Sequence, residues 1–351
     1  MPVYRFSTAF RIARGVKAFI SLGGGVTRAE VPDTDQKTQT RKLKDAETRI
    51  ERLRQRLEHK NQEVHWLKSE LSARGGSMQS KPKEREATTS RSSETVVGAL
   101  PDFVIVGGKK CGTTFLYHLL RQHPHVVPAA KKEVHFFDMR FHKGVSWYRS
   151  QFPTLDRGPE PTIITGEASP YYLYHPHAAK RASEFVPHAK LIALLRDPID
   201  RAFSDYHDKS RQGREPLTFE EAIEAEVSRL QGEKEKMLAD ETYVSRNYRA
   251  FSYLSRGIYV DQLREWHKFF DEEQILVLKS EDLFSDITGT LKKVSDFLCL
   301  TDLSIDFPPR SENRNEGKYA PMKPATRESL RNYFAPHNQR LYEYLGTDFG
   351  W

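Results

Sequence analysis

Phe103-Val104-Ile105-Val106-Gly107-Gly108-Lys109-Lys110-Cys111-Gly112-Thr113-Thr114 reads as a buried strand that runs into a glycine-rich turn and then a helix. The apolar run has strand length, and after Thr113 the residues Phe115, Leu116, Leu119 and Leu120 recur at helical spacing. A turn of this kind holds phosphate. Its backbone N–H groups and the positive end of the new helix face a bound anion, and the Thr113 and Thr114 hydroxyls add donors. In the ATP-binding form, G-x-x-x-x-G-K-[ST], a lysine follows the second glycine to reach the β- and γ-phosphates, and the next hydroxyl ligates magnesium. Thr113 stands where that lysine is required, and the available cations, Lys109 and Lys110, lie on the approach to the turn. A lysine so placed sits beside a 5′-phosphate instead of along a triphosphate, which points to sulfuryl transfer.

A second apolar run, Lys190-Leu191-Ile192-Ala193-Leu194-Leu195, predicts another buried strand, followed by Arg196-Asp197-Pro198-Ile199-Asp200-Arg201-Ala202-Phe203-Ser204. Proline directly after a strand end opens a helix, which puts Arg196 at the strand's carboxyl end and Ser204 about two turns into the helix. One cation and one hydroxyl are thereby expected to converge on a second phosphate. The competing expectation is that Arg196 pairs with Asp197 or Asp200.

At these residues the chain resembles the sulfotransferases that use 3′-phosphoadenosine 5′-phosphosulfate, in particular the heparan sulfate N- and 3-O-sulfotransferase type and its bacterial relatives. The resemblance runs from about Pro101 to Trp351. It rests on the loop Lys110-Cys111-Gly112-Thr113-Thr114, on Lys132-Glu133-Val134-His135-Phe136-Phe137 followed by His142-Lys143-Gly144-Val145-Ser146-Trp147-Tyr148, and on the Arg196 to Ser204 element. Asn315-Glu316-Gly317-Lys318-Tyr319-Ala320-Pro321 and the terminal Asp348-Phe349-Gly350-Trp351 complete it. The resemblance implies an α/β domain of P-loop-like sulfotransferase fold, with a mainly parallel central sheet flanked by helices. It also implies no metal requirement and a nucleotide cosubstrate that spans the first loop and the Arg196/Ser204 pair.

Sulfuryl transfer proceeds in line, so the protein must position the partners and neutralise charge on the leaving phosphate oxygen. Lys110 fits that task. An acceptor hydroxyl needs a base, and the resemblance assigns it to Glu133, with His135 the rival. Phe136 and Phe137 would raise the pKa of Glu133 by desolvation, whereas Lys131 and Lys132 would lower it, and the sequence leaves the sign open. By the same resemblance Cys111, Gly112, Thr113, Thr114, Arg196 and Ser204 bind the cosubstrate, and Gly317 and Lys318 cover it. Two positions depart from the family. Heparan-type enzymes carry a lysine after the glutamate of the segment matching Gly166-Glu167-Ala168-Ser169-Pro170, where this chain has Ala168. The family's Lys-Gly-Arg loop over the cosubstrate is here Glu316-Gly317-Lys318, so Glu316 takes no phosphate role.

With 351 residues, 38% of them hydrophobic, the chain exceeds one average domain and can build a core in its larger part. A net charge of +7 suits anionic ligands. It would suit nucleic acid equally, but no zinc-finger spacing or other nucleic-acid motif is present, and no such partner is expected. The mean hydropathy of -0.67 reflects a polar first hundred residues. Within them Leu43, Ala46, Ile50, Leu53, Leu57, Lys60, Val64, Leu67 and Leu71 follow alternating three- and four-residue spacing, which predicts a coiled coil and a homo-oligomer. A lone helix packed on the catalytic domain is the alternative. The expected organisation is a basic arm over 1–35, a coiled coil over 36–74, a flexible linker over 75–100 and the sulfotransferase domain over 101–351.

Two cysteines, Cys111 and Cys299, make no disulfide framework, and a cytoplasmic location is expected. Arg5, Arg11, Arg14, Lys17 and Arg28 without an acidic residue leave organelle targeting or a membrane-surface segment as the alternative. Apolar stretches fall well short of the roughly 20 residues that a membrane-spanning helix needs. Two other functional classes stand beside the transferase: a P-loop-like kinase or NTPase, opposed by Thr113, and a noncatalytic coiled-coil scaffold, opposed by the retained Lys110, Glu133, Arg196 and Ser204. The charged stretch from Leu217 to Leu238 is expected to be helical, with its carboxylates on a solvated face.

Overall fold

A computed structural model describes residues 98–155, 163–300 and 320–351. The expected basic arm, the coiled coil, nearly all of the linker, and Glu316, Gly317 and Lys318 lie outside the described residues. The compact unit that carries the site spans Arg91–Trp351.

Five parallel strands form its sheet: β1 (Phe103–Gly107), β2 (Val126–Pro128), β3 (Ile164–Ala168), β4 (Lys190–Leu195) and β5 (Ile275–Lys279), in the order β2-β3-β1-β4-β5. Parallel strands need crossovers, and helices supply them. In chain order these are α1 (Thr113–Leu120), α2 (Gly144–Arg149), α3 (Ala178–Phe185), α4 (Pro198–Arg211), α5 (Phe219–Glu224) and α6 (Glu226–Leu230). They continue with α7 (Glu233–Ala239), α8 (Arg246–Ala250) and α9 (Tyr259–Trp266), whereas α10 (Ser280–Ser285), α11 (Ile287–Leu298) and α12 (Pro324–Leu345) follow β5.

Strand residues alternate between two cores because successive side chains point to opposite faces. Val104 and Val106 of β1 and Leu191, Ala193 and Leu195 of β4 pack with Phe136, Phe137, Tyr148, Leu263 and Trp266. Phe103, Ile105, Ile192 and Leu194 pack on the other face with Leu116, Leu119 and Leu120 of α1 and Leu291, Val294 and Leu298 of α11. Both faces are therefore covered, which explains the continuous apolar runs in β1 and β4. A third cluster of Ile199, Ala202, Phe219, Ala222, Tyr253, Leu330 and Phe334 anchors the long excursion between β4 and β5.

The chain leaves β1 toward β2 at one edge and leaves β4 toward β5 at the other, so β1 and β4 flank the switch point of the sheet. Ligands bind in the crevice at the strands' carboxyl ends there. The loop after β1 and Arg196 after β4 both stand at that crevice.

One expectation needs correction. The stretch from Leu217 to Leu238 is helical as expected, in three short helices, the last break falling at Gly232, which takes a left-handed conformation (φ 72°). Its carboxylates are not all solvated. Buried Glu226 accepts the backbone N–H groups of Leu254 and Ser255 at 2.7 and 2.9 Å, and buried Glu233 accepts from Tyr243 at 2.9 Å. Among the described residues no helix is long and apolar enough to cross a membrane.

Candidate active site

The turn after β1 closes tightly on its surroundings. Gly112 ends it at φ 90°, and a Cβ there would stand 3.2 Å from the Phe284 ring. Only glycine enters α1 from that conformation without strain. No side chain caps the helix, and its first turn holds no acidic residue, so the N-terminus faces the crevice with its dipole uncompensated. Cys111 is fully buried beneath the turn, with Sγ 3.9 Å from the Tyr259 hydroxyl, and burial pushes its thiol up to about 11. Such a thiol packs; it does not react.

Two lysines of the turn meet two carboxylates of α4. Lys109 Nζ lies 2.8 Å from Asp205 Oδ1, and Lys110 Nζ lies 3.6 Å from Asp208 Oδ1. Asp205 is completely buried and is approached also by Arg201 (3.2 Å) and Arg256 (3.6 Å). Burial works to raise its pKa, but the three cations outweigh burial and hold it well below the usual carboxylate range. Arg196 donates to the Lys110 carbonyl at 3.4 Å, and the Tyr259 hydroxyl donates to the Arg196 carbonyl at 2.9 Å. Asp197 and Asp200 make other contacts: Asp197 accepts from the Ile199 and Asp200 N–H groups to cap α4, and Asp200 pairs with Arg327 at 2.7 Å.

Glu133 and His135 sit at the end of β3, both in left-handed backbone with φ of 62° and 56°. The Glu133 N–H donates to the Ala168 carbonyl at 3.1 Å. His135 bridges two carboxylates: Nε2 stands 3.1 Å from Glu133 Oε2, and Nδ1 stands 2.7 Å from Asp138 Oδ2. The other Glu133 oxygen accepts from Lys132 Nζ at 3.0 Å. The hydrogen bond from His135 is the main cause that brings the Glu133 carboxyl down to about 2, with Lys132 adding to it against burial. For His135 burial opposes the charged ring, yet the hydrogen bonds to Asp138 and Glu133 prevail and lift it to about 9. Both shifts favour an ionised carboxylate beside a protonated imidazole around neutral pH.

Lys110, Gly112, Thr113, Thr114, Glu133, His135, Arg196 and Ser204 line one cleft of about 1570 Å³, and Cys111 lies under its floor. Phe115 and Phe284, stacked with centroids 5.5 Å apart, form part of its wall. Asp138, Asp205 and Asp208 carry no signal in the sequence that marks them for the site. Their roles depend on a left-handed turn and on one face of α4, and neither leaves an apolar periodicity to follow. Arg256 also lines the cleft, with its guanidinium 4.9 Å from the Tyr171 ring centroid.

Residues 100–306 match the sulfotransferase domain family, and the chain belongs to it. It is 29% identical over 318 residues to the membrane-associated sulfotransferase kil1 of Dictyostelium discoideum, covering 72% of this chain and 66% of that protein. Against the heparan sulfate glucosamine 3-O-sulfotransferase 3B1 of Mus musculus it is 32% identical over 273 residues, covering 72% of this chain and 65% of the relative. Among solved structures, a sulfotransferase from Alicyclobacillus acidocaldarius superposes with a TM-score of 0.56 at 30% identity, over 72% of this chain and 98% of that one. The chain thus spans just under two thirds of the length of the two curated relatives.

Proposed function

We propose that this chain transfers a sulfuryl group from 3′-phosphoadenosine 5′-phosphosulfate to a hydroxyl or amine of a carbohydrate acceptor. The observation that carries the reading is the joint lining of one crevice by Lys110, Glu133, Arg196 and Ser204, from three separate segments of the chain. The cleft fits the nucleotide's chemistry: a bare helix N-terminus, two threonines, Lys110 and Arg196 all favour anions. Among the described residues no group of three or more His, Cys, Asp or Glu is arranged to hold a metal ion.

The cosubstrate brings an activated sulfuryl group, and the protein's residues divide the remaining work. Glu133 takes the proton from the acceptor oxygen or nitrogen as that atom bonds to sulfur. Lys110 holds its ammonium at the phosphate oxygen released when the old S–O bond breaks. His135, held by Asp138, keeps Glu133 ionised and oriented; its raised pKa favours a ring protonated on both nitrogens, a form that cannot itself serve as base. Arg196 and Ser204 bind the 3′-phosphate, and Gly317 and Lys318 cover the nucleotide. The named activity of the Mus musculus relative supports a glycan acceptor. Ala168, buried at the end of β3, offers no charge to it. Residues 36–74 would join copies of the chain, and the cytoplasm is our proposed location, with a membrane-surface role for the basic arm as the alternative.

The test is transfer of radiolabelled sulfate from the cosubstrate to glycan acceptors, together with calorimetry of 3′-phosphoadenosine 5′-phosphate. Binding without added metal, tighter than adenosine 5′-phosphate or ATP, is expected. A strict magnesium requirement would favour the NTPase reading.

A further inference from the structure

Glu167 is a carboxylate with no solvent exposure, in the middle of a strand end, and nothing in the transfer step calls on it. It accepts three hydroxyls: Ser169 Oγ at 2.6 Å, Tyr148 Oη at 2.8 Å and Tyr172 Oη at 3.0 Å. Burial pushes its carboxyl up, and the hydrogen bonds from these hydroxyls work against that. Two of the three hydroxyls have a second task. Ser169 Oγ accepts the backbone N–H of His135 at 3.0 Å, and Tyr172 Oη accepts that of Phe136 at 2.7 Å.

A hydroxyl has one proton to give and lone pairs to receive with. With its proton committed to Glu167, each hydroxyl presents a lone pair to the peptide N–H above it. Those two N–H groups belong to the segment in which Glu133 and His135 hold left-handed backbone, a conformation costly for residues with a Cβ. The His135 ring can reach Glu133 on one side and Asp138 on the other only while that backbone is held. The charged and titratable groups in contact with this segment are Lys132, Glu133 and Asp138, Arg140, which donates to the Val134 carbonyl at 2.6 Å, Arg181, which donates to the Phe137 carbonyl at 3.2 Å, and Glu167 with Tyr148 and Tyr172.

We infer that Glu167 is a positioning residue for the transfer step: through Ser169 and Tyr172 it fixes the peptide units at His135 and Phe136 and so aims the His135 ring at Glu133. This rests on the reading of Glu133 as the base. Its physical content, the link from a buried carboxyl to the protonation of His135, can be measured without turnover.

The experiment uses the full-length chain and three variants, Ser169→Ala, Tyr172→Phe and Glu167→Gln, the first two of which remove a single hydroxyl each. The histidine resonances of labelled protein are titrated by NMR, with His135→Asn identifying the signal, and kcat and the affinity for 3′-phosphoadenosine 5′-phosphate are measured alongside. In the parent the His135 midpoint is expected near 9. In the variants it should fall toward the free imidazole value of about 6.5, and kcat should fall roughly tenfold or more while nucleotide affinity is kept. A His135 midpoint that stays near the parent value in all three variants overturns the inference, whatever happens to kcat. Loss of nucleotide affinity together with kcat also overturns it, because the cluster would then support the whole cleft. A parent that transfers no sulfate, but whose His135 midpoint moves in the variants, removes the assigned activity and leaves the link from Glu167 to His135 standing.

Discussion

Glu133 has a cation on each oxygen, His135 on one and Lys132 on the other, and in our proposal it takes the acceptor's proton. A base that is ionised down to about pH 2 is weak by itself, so its usefulness lies in being always available and correctly aimed. Glu133→Gln keeps the shape and loses the proton acceptor. Turnover should fall roughly 10²- to 10⁴-fold with nucleotide binding retained, whereas Lys110→Ala should weaken both. Near-normal turnover in Glu133→Gln combined with a dead His135→Asn would hand the base to histidine. The pH profile gives an independent check. His135 is raised to about 9, so its contribution is complete below about 6.5 and is lost as pH rises through 9. Glu133 is lowered, so its contribution is complete above about 4.3 and is lost as pH falls through about 2. We expect kcat to stay flat from about pH 5 to 8 and to decline as pH passes about 9. A rate that climbs with pH up to that point would mean that neutral imidazole is the reactive form.

Two strand-to-helix units, β1 with α1 and β4 with α4, build the cleft from opposite sides of the switch point. Their coupling is direct. Arg196 donates to the Lys110 carbonyl, Tyr259 ties Cys111 to the Arg196 carbonyl, and α4 turns Asp205 and Asp208 toward the two lysines of the turn. If Arg196 binds the 3′-phosphate as proposed, Arg196→Ala should lower affinity for 3′-phosphoadenosine 5′-phosphate by about 2–5 kcal/mol at most and lower affinity for adenosine 5′-phosphate by less, the smaller loss reflecting the Lys110 carbonyl that Arg196 holds. Equal losses for the two nucleotides by calorimetry would remove Arg196 from the 3′-phosphate. These units were legible because buried parallel strands are unbroken apolar runs, and Gly112 and Pro198 mark where each helix begins. β3 was not legible as a strand. Its Thr165 and Glu167 interrupt the apolar pattern: the Thr165 hydroxyl is buried without a hydrogen-bond partner among the described residues while its N–H donates to Asp102 at 2.8 Å, and the Glu167 carboxyl is satisfied by hydroxyls outside the strand, such as that of Ser169. Asp138 was hidden for a related reason: its contact with His135 depends on backbone φ values that no pattern of side chains announces.

At the scale of the molecule, the catalytic unit starts before the family match does. The Gly98 carbonyl accepts from Arg149 Nε at 2.8 Å, and the Ala99 N–H donates to the Pro153 carbonyl at 2.9 Å, so the chain is already part of the fold at these residues. A truncation that begins at Arg91 should keep both bonds, fold, and turn over at the full-length rate. One that begins at Ala99 gives up the Arg149 contact and should show a lower melting temperature. The spacing from Leu43 to Leu71 predicts an apolar seam too narrow for one helix in water, and on that reading copies of the full-length chain should come together. Light scattering at micromolar concentration is the measurement: a full-length oligomer and a truncated monomer of equal activity per subunit are expected. A full-length monomer would defeat the coiled coil, and a truncated chain that no longer folds would mean that the helix packs on the catalytic unit. Lys60 sharpens the prediction because it is the one polar side chain in the seam, and polar residues there restrict register and strand number at some cost in stability. Lys60→Leu should strengthen association or change the mass of the assembly. An unchanged mass together with an unchanged melting profile would place Lys60 on the solvent side and shift the seam by one position.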